Sequence, residues 1–330
     1  MELKYDEPAR TIQHVPLQQI DLSDETFSVN FLPDVEKLRS SIKEVGLIEP
    51  VVLKKRSEGY QIVCGFKRIR VALELGFPAI EARVFEERER NDVQLFSISL
   101  HENATCRGFN TVETALALDK LVHRFQIRPA TVIKTFLPLF SLETNEKILN
   151  TYLSLAHMEE NVKRYVVQEK VSRTNIRGFS SLTPGDRTAV LSLVSSLKLG
   201  ENSLRETLTL LEEIAPREHQ TIRDIVNRPD IQAILSHEEF TSSQRTERVK
   251  KVLLHLRYPR MHRLEETFDE KRKALHLPAG LSVRHEPYFE GKGLRMELRF
   301  ETLEEYRSLL ASLSTLPEKE AFLEMLIEKT

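Results

Sequence analysis

Cysteine is scarce in this sequence, and no stretch of it is long and apolar enough to cross a membrane. Its 330 residues include only two cysteines, Cys64 and Cys106, which excludes a disulfide framework and a cysteine-rich zinc site. No apolar run approaches the length of a bilayer span, and the charged residues 1–10 lack the apolar core of a signal peptide. We therefore expect a cytoplasmic protein without a membrane partner.

Acidic and basic residues nearly balance over the whole chain, but they are unevenly distributed. The formal net charge of -2 excludes a uniformly basic nucleic-acid coat. Residues 1–110 carry 15 Lys/Arg against 18 Asp/Glu, whereas residues 163–177 carry five basic residues and one acidic residue, and residues 241–275 carry ten and five. Such clusters are usually solvated faces, but two of them on one chain favour a polyanionic partner.

The most informative segment predicts two strands, a glycine and a basic helix. Residues 51–53 and 60–64 are typical of short strands joined by a polar turn, and apolar residues recur at helical spacing after Gly65. A glycine admits a ligand close to the backbone, and the first turn of a helix suits a phosphate. The basic residues there are Lys67, Arg68 and Arg70. An ordinary strand-to-helix turn with a solvated basic face fits the same pattern.

Three segments in a fixed order resemble the N-terminal domain of the ParB family, whose members segregate chromosomes and plasmids. Residues 41–53 resemble its "SI..G..QPI.V" motif, residues 65–72 its "G.RR.RA" phosphate box, and residues 102–103 the start of its "EN..R" box. The resemblance implies an α+β domain of the ParB/sulfiredoxin-like fold that binds CTP, or another nucleoside triphosphate, with Mg²⁺.

The resemblance also implies which residues contact the nucleotide. They are Gly65, Phe66, Lys67, Arg68, Arg70, Glu102, Asn103 and Arg107. Glu102 and Asn103 are expected at the metal, because carboxylate and amide oxygens are hard ligands that Mg²⁺ shares with phosphates. Glu102 is in addition the candidate catalytic residue for a weak CTPase activity.

Three positions depart from the family pattern. Phe66 replaces the usual acidic residue of the phosphate box, Cys106 replaces the arginine of the third box with Arg107 one step later, and residues 27–29 replace a "QPR" tripeptide. Two arginines are lost with their bidentate phosphate contacts. A regulator or adaptor that has lost nucleotide turnover is therefore an alternative.

The middle of the chain predicts helices at residues 111–126, 129–136 and 145–158, in the order of a helix-turn-helix reader. Residues 147–162 resemble the family's recognition helix and its exit. The DNA-binding residues implied are Lys147, Asn150, Thr151, Lys163, Arg164, Lys170, Arg173 and Arg177. The turn at 137–144 is longer and more apolar than in the family, which affects how deeply the second helix enters a major groove. A plain helical bundle without DNA contacts is the alternative.

The end of the chain predicts a hairpin followed by a helix. The hairpin consists of strands at 281–285 and 294–300 and a turn at 290–293. The helix carries an apolar stripe formed by Leu303, Tyr306, Leu309, Leu310 and Leu313. So small a unit cannot bury both apolar faces alone, so a twofold partner is expected. The family ends in such a dimerisation module, and a surplus helix at 319–328 extends past it here.

The length suggests two or three domains. We predict a ParB-like domain (1–110), an all-α helix-turn-helix domain (111–232), a charged helical linker (233–278) and a ββα dimerisation module (279–330).

The resemblance implies a nucleoid-associated homodimer that binds double-stranded DNA and is closed into a clamp by CTP. The implied role is chromosome or plasmid partition or nucleoid-associated regulation. A ParA-like ATPase is a possible partner, although only Lys4 and Arg10 supply basic charge before the domain.

Enzymes of the same fold are a further class. Sulfiredoxin needs a cysteine where this chain has Phe66, so that activity is set aside. A small-molecule kinase would need a general base for the acceptor hydroxyl, and Glu102 is the nearby candidate. The predicted helix-turn-helix domain and dimerisation module argue against a metabolic enzyme.

Overall fold

A computed structural model of the chain describes residues 11–286 and 293–327, which divide into two compact units. The first unit extends to Leu191 and the second begins at Ser192. In the described ranges, none of the helices combines the length and the apolar character that a bilayer span requires.

The first unit begins with a five-stranded sheet whose strands are β1 (Ile12–Pro16), β2 (Ile20–Asp21), β3 (Val51–Lys55), β4 (Tyr60–Cys64) and β5 (Ala79–Phe85). Its helices are α1 (Glu36–Val45), α2 (Phe66–Glu74), α3 (Asp92–Cys106), α4 (Thr111–Asp119), a π-helix (Lys120–Arg124), α5 (Pro129–Thr135), α6 (Glu146–Ala156), α7 (Glu160–Gln168) and α8 (Arg173–Ser181). Helix α9 (Pro184–Leu197) contains the division between the units.

The sheet has the strand order β1-β5-β3-β4-β2 and mixes parallel and antiparallel pairs. β3 pairs antiparallel with β4 and parallel with β5. Alternate residues of these strands point into one core with the apolar face of α2, which contributes Ile69 and Ala72. The structure confirms the predicted strands at 51–53 and 60–64 and the helix after Gly65, and it adds β1, β2 and β5, which the sequence analysis did not predict.

Gly65 is the residue that joins sheet and helix. Its φ is 98°, in the left-handed region that favours glycine. A Cβ atom at this position would lie 2.6 Å from Cγ1 of Val51 on the neighbouring strand. Both the backbone turn and the close packing of α2 on β3 therefore require glycine here.

The middle helices lie where the sequence predicted helical segments. The segment predicted at 111–126 forms α4 and the π-helix, and α4 packs against α6 through a buried core. Asn110 caps α4 and Asn145 caps α6, each with its side-chain oxygen accepting a backbone N–H. Residues 136–145, which join α5 to α6, include a 3-10 turn at Pro138–Phe140. Whether α5 and α6 read DNA stays a prediction.

The described part of the second unit is helical apart from one hairpin. Its elements are α10 (Glu201–Glu218), α11 (Ile222–Val226), α12 (Pro229–Ser236), α13 (Ser242–Arg257), α14 (Pro259–Ala274), β6 (Leu281–His285), β7 (Leu294–Leu298), α15 (Leu303–Ser314) and α16 (Glu320–Ile327). The expected connector helix is α13, but it packs on α10 and buries Val249 and Leu253. The pairs Lys250–Glu206 and Arg257–Glu213 join the same two helices. Its charges therefore cover one side of a packed helix.

The predicted C-terminal strands pair antiparallel, and the predicted helix follows them. Helices α14 and α16 contribute Phe268, Phe322 and Met325 to the core beneath the hairpin, which is larger than two strands and one helix alone would provide. Most of the predicted turn at 290–293, the end of the helix at 319–328, and Lys4 and Arg10 lie outside the described residues.

We expect Gly65→Ala to lower the free energy of unfolding by about 3 kcal/mol, because a left-handed backbone costs roughly 1–2 kcal/mol and a steric overlap costs a similar amount. Gly76→Ala is the matched control, since Gly76 has a φ of 77° with open space around it. That variant should lose about 1–2 kcal/mol. Urea unfolding followed by circular dichroism measures both, and equal losses would show that contact with Val51 is unimportant.

Candidate functional site

The first unit contains a cleft of about 490 Å³, within the range of about 300–1,000 Å³ typical of small-molecule sites. Its walls include residues 27–30, part of α1 and residues 46–50 after it, residues 65–68 at the start of α2, and the end of α3, with Val52 and Arg83 from the sheet. Segments far apart in sequence thus meet at the carboxyl end of β4, where the sheet passes into α2.

The start of α2 presents backbone N–H groups and positive charge to this cleft. Gly65 precedes the helix and has no side chain with which to cap its first N–H groups. Phe66 packs against the apolar core of the sheet while lining the cleft, and it leaves the cavity open. Lys67 donates no hydrogen bond to any described residue. Its pKa is lowered, first by burial and then by the nearby Arg107 cation.

Arg68 and Glu102 form an ion pair within the cleft. Nη2 of Arg68 lies 2.6 Å from Oε1 of Glu102, and both side chains are largely shielded. Nη1 of Arg68 donates to the backbone carbonyls of Glu49 and Pro50, each at 3.2 Å. These contacts hold a guanidinium where residues 46–50, α2 and α3 meet.

Arg107 is held in the cleft by a buried carboxylate. Its Nε donates to Oδ1 of Asn103 at 2.8 Å, and its Nη1 lies 2.7 Å from Oε2 of Glu113. The Glu113 side chain is only 2% exposed and also accepts the backbone N–H groups of Asn110 and Phe31. Arg107 therefore reaches the cleft although the family position itself is occupied by Cys106, which also lines it.

The wall at residues 27–30 is fastened to the helices that follow the sheet. Nζ of Lys120 donates to the backbone carbonyls of Glu25 and Ser28, each at 2.5 Å. Burial lowers the pKa of Lys120 to about 8. The ring of Phe27 packs with those of Phe96 and Phe125. The segment that replaces the family's "QPR" tripeptide is thus positioned by contacts that its own sequence does not indicate.

The cleft is cationic within a slightly acidic part of the chain. Its lining includes four cationic side chains and two carboxylates, namely Lys67, Arg68, Arg83, Arg107, Glu49 and Glu102. Sequence reasoning missed Arg83, an exposed residue of β5. Ile80, Ala82 and Val84 of that strand are buried in alternation. Because alternate residues of a strand point to opposite faces, this pattern indicates that Arg83 points away from the core.

Arg70 is the one predicted nucleotide contact that the structure does not bring to the cleft. It lies in the second turn of α2, and its Nε lies 3.3 Å from Oε1 of Glu74 one turn later. All the others, from Gly65 to Arg68 and from Glu102 to Arg107, line the cavity. Cys64, beneath them, is buried, and burial raises the pKa of its thiol to about 12, so it stays a protonated packing residue.

The residues predicted to contact DNA lie on α6, α7 and α8 and just beyond α7. Lys147 and Asn150 are exposed on α6, whereas the hydroxyl of Thr151 donates to the carbonyl of Lys147 at 2.8 Å. On α7, Lys163 and Arg164 both pair with Glu160. The exposed cations beyond them are Lys170, Arg173 and Arg177.

Comparison with known proteins finds similarity in the N-terminal part of the chain, which supplies most of the cleft lining. Residues 1–104 match a family model described as the ParB N-terminal domain. The chain is also similar to nucleoid occlusion proteins of two bacteria. That of Halalkalibacterium halodurans is 28% identical over 183 residues, which are 55% of this chain and 62% of that protein. That of Shouchella clausii is 25% identical over 194 residues, which are 57% and 65%.

Two solved structures of the C-terminally truncated chromosome-partitioning protein ParB from Caulobacter crescentus are distant neighbours. The complex with the centromeric parS site is 16% identical, covers 60% of this chain and 98% of that chain, and gives a TM-score of 0.37. The complex with CTP-gamma-S is 20% identical, covers 55% and 97%, and gives 0.26.

We expect Glu113→Ala to lower the free energy of unfolding by about 3 kcal/mol, because removing one partner of a buried ion pair leaves an uncompensated charge. Glu86→Ala is the matched control, since Glu86 pairs with Lys55 at 3.4 Å on an exposed surface. That variant should lose less than about 1 kcal/mol. Urea unfolding compares them, and similar losses would mean that Glu113 does not hold the cleft wall.

Proposed function

We propose that this chain is a ParB-family protein, because residues 1–104 match the ParB N-terminal domain model, that its cleft binds CTP, and that nucleotide binding controls how a homodimer holds DNA. The observation that supports this most strongly is the convergence of the three motif segments, residues 46–50, 65–68 and 102–107, on one cleft. In the sequence these motifs share only a fixed order along the chain, whereas in the structure they lie next to one another.

The triphosphate is assigned to the start of α2. Anions bind at helix N-termini because unpaired N–H groups and the helix dipole favour negative charge there. Gly65 allows close approach, and Lys67 supplies an ammonium group that has no hydrogen-bond acceptor among the described residues. Arg68 and Arg107 stand on either side, held by Glu102 and Glu113.

The donor set fits Mg²⁺ as the companion ion. Glu102 and Asn103 line the cleft beside the assigned phosphate position and offer a carboxylate and an amide oxygen, the latter at present accepting from Nε of Arg107. Mg²⁺ is usually held by one or two carboxylates together with phosphate oxygens. Bound there, the ion would neutralise phosphate charge, and Arg68 would be free to donate to the phosphates rather than to Glu102.

We expect Lys67→Ala to weaken CTP binding by about tenfold or more in the presence of Mg²⁺, because a charge-assisted hydrogen bond contributes about 1.5–3 kcal/mol. Arg70→Ala is the matched control. Arg70 is a cation of the same helix, but it pairs with Glu74 outside the cleft, so its loss should change affinity less than twofold. Isothermal titration calorimetry measures both.

Equal weakening by the two substitutions would indicate diffuse attraction to basic residues of α2 rather than a site in the cleft. Titration of the unchanged protein with ATP and GTP completes the test. If CTP, ATP and GTP all fail to produce heat, the nucleotide site is rejected.

Closure of two copies around DNA is proposed for the nucleotide-bound state. Two large apolar side chains lie exposed on the rim of the cleft or next to it, Val45 at 62% and Ile48 at 73% exposure. Exposed apolar groups beside a ligand site suit a surface that a partner covers once the ligand is bound. For this to occur, the nucleotide must bind the closed state more tightly than the open one.

The cleft and the helical region are physically connected. Lys120 and Glu113 on the helical side hold the backbone of residues 25–31, which is a wall of the cleft. We propose that movement of this wall on nucleotide binding is transmitted to α4 and its neighbour α6. The nucleoid occlusion proteins to which the chain is similar favour a nucleoid-associated role.

DNA recognition is assigned to α6, and phosphate contact to the basic residues that follow it. Lys147→Ala and Asn150→Ala should relax sequence preference, because they would remove contacts with base edges. Arg177→Ala should weaken binding to all duplexes similarly and reduce the slope of log affinity against log salt by about one. Fluorescence anisotropy at several salt concentrations measures both effects.

Lys55→Ala is the control, because this exposed cation belongs to β3. It should leave affinity and salt slope unchanged. If all four variants behave alike, the chain attracts DNA without a defined reading helix.

The homodimer contact is assigned to the apolar residues that stay exposed around α15. Phe300, Leu303 and Leu310 are 50%, 62% and 39% exposed, although α14 and α16 contribute to the core that the hairpin shares with α15. Leu303→Asp combined with Leu310→Asp should convert a dimer into a monomer in sedimentation velocity. Leu22→Asp, at a 51% exposed site of the first unit, should leave the dimer intact, and a monomeric unchanged protein would contradict the assignment.

A further inference from the structure

Two histidines and an aspartate meet outside the cleft, in the helical part of the first unit. Asp119 ends α4, His123 lies in the π-helix, and His157 follows α6. Nε2 of His157 lies 2.9 Å from Oδ1 of Asp119, and Nε2 of His123 lies 3.6 Å from the same oxygen. One ligand atom from each residue lies within 4.8 Å of the other two.

These separations are close to those of a metal site. In a tetrahedral zinc site with bonds of 2.0–2.1 Å, two ligand atoms lie about 3.3 Å apart. The two distances to Asp119 fall on either side of that value, and the third pair of ligand atoms, one on each histidine, lies within 4.8 Å. Two imidazoles and one carboxylate form a ligand set that suits zinc and its neighbours among the divalent transition metals.

The carboxylate supplies a second, independent indication. Oδ1 of Asp119 is shielded from solvent, and none of the residues in the described ranges donates a hydrogen bond to it. The nearby His157 nitrogen is at ion-pair distance without the alignment of a hydrogen bond. Shielded polar atoms nearly always have a partner, and a cation bound between the two rings is a partner that suits this oxygen.

Neighbouring cations do not occupy this position. Lys120 directs its ammonium group to the carbonyls of residues 25–28, and Arg124 donates to the Thr26 hydroxyl at 2.6 Å. Both therefore face the wall of the cleft. The two histidines are more than half exposed, which leaves an entry path and an open coordination position for water.

We propose that Asp119, His123 and His157 bind a divalent transition metal of the Zn²⁺ class. The ion would join the end of α4 and the π-helix to the end of α6, two segments that otherwise contact each other through apolar packing. A π-turn is frequent at functional positions in helices. This site goes beyond the proposed nucleotide and DNA functions and does not depend on them.

The test is titration of the metal-free full chain with Zn²⁺ by isothermal titration calorimetry. We expect one Zn²⁺ per chain and a rise in melting temperature on saturation. His123→Gln combined with His157→Gln should weaken binding by well over tenfold, because changes in the outer shell of a metal site alone cost about 10–100-fold. Asp119→Asn preserves the shape of the carboxylate and should weaken binding by at least tenfold.

The chain offers a matched control in a second histidine pair. The rings of His255 and His262 lie 3.4 Å apart in the second unit, so His255→Gln combined with His262→Gln removes the same number of imidazoles elsewhere. That variant should keep its one Zn²⁺ and its melting shift. Binding that survives the loss of His123 and His157, or that disappears with His255 and His262, would overturn the proposal.

Circular dichroism spectra separate loss of the metal from loss of the fold. The side chains of His123 and His157 are more than half exposed, so their double variant should match the metal-free unchanged protein in helix content. If Asp119→Asn keeps full Zn²⁺ affinity while folding normally, the carboxylate is not a ligand and the proposed site is wrong.

Discussion

The buried carboxylate of Glu113 is the interaction on which the site depends. It neutralises Arg107, satisfies the backbone N–H groups of Asn110 and Phe31, and thereby joins the end of α3, the start of α4 and the wall of the cleft. A carboxylate that is only 2% exposed is costly unless every oxygen has a donor. Here the donors come from three different segments, so the charge is stable only when the cleft wall, α3 and α4 are correctly placed together.

The cleft shows how local charge can oppose the charge of the surrounding chain. Residues 1–110 are slightly acidic, yet cationic side chains outnumber carboxylates in the cleft lining. A concave site with low-dielectric walls concentrates such a field and favours anionic ligands. Arg68 and Arg107 are each paired with a glutamate, so these two cations are positioned before a ligand binds. Lys67 adds a positive charge that forms no ion pair with any described residue.

Sequence reasoning found the parts of the fold that are encoded locally. The helix start at Gly65 was predictable because glycine, apolar periodicity and basic residues are all adjacent in the chain. The cap at Asn110 was predictable for the same reason, since its side chain bonds to the first turn of its own helix. The hairpin strands and the helix after them likewise follow from alternation and helical spacing.

What depended on distant contacts was not predictable. Arg83 lines the cleft because β5 pairs with β3, and residues 27–30 line it because Lys120 holds their backbone from far along the chain. Arg70 had the right charge and position in the motif, but Glu74 one turn later pairs with it outside the cleft. The charge pattern of α13 indicated a connector, whereas burial of two residues against α10 is a tertiary contact that charge does not reveal.

The central claim is that the phosphates of a nucleotide bind the backbone at the start of α2. Hydrogen–deuterium exchange with and without CTP and Mg²⁺ tests it most directly. The account predicts slower exchange of the Lys67 and Arg68 amides and of residues 102–107, with strand β7 unchanged. Unaltered exchange at residues 65–68 under saturating CTP, or protection confined to another part of the chain, would contradict it.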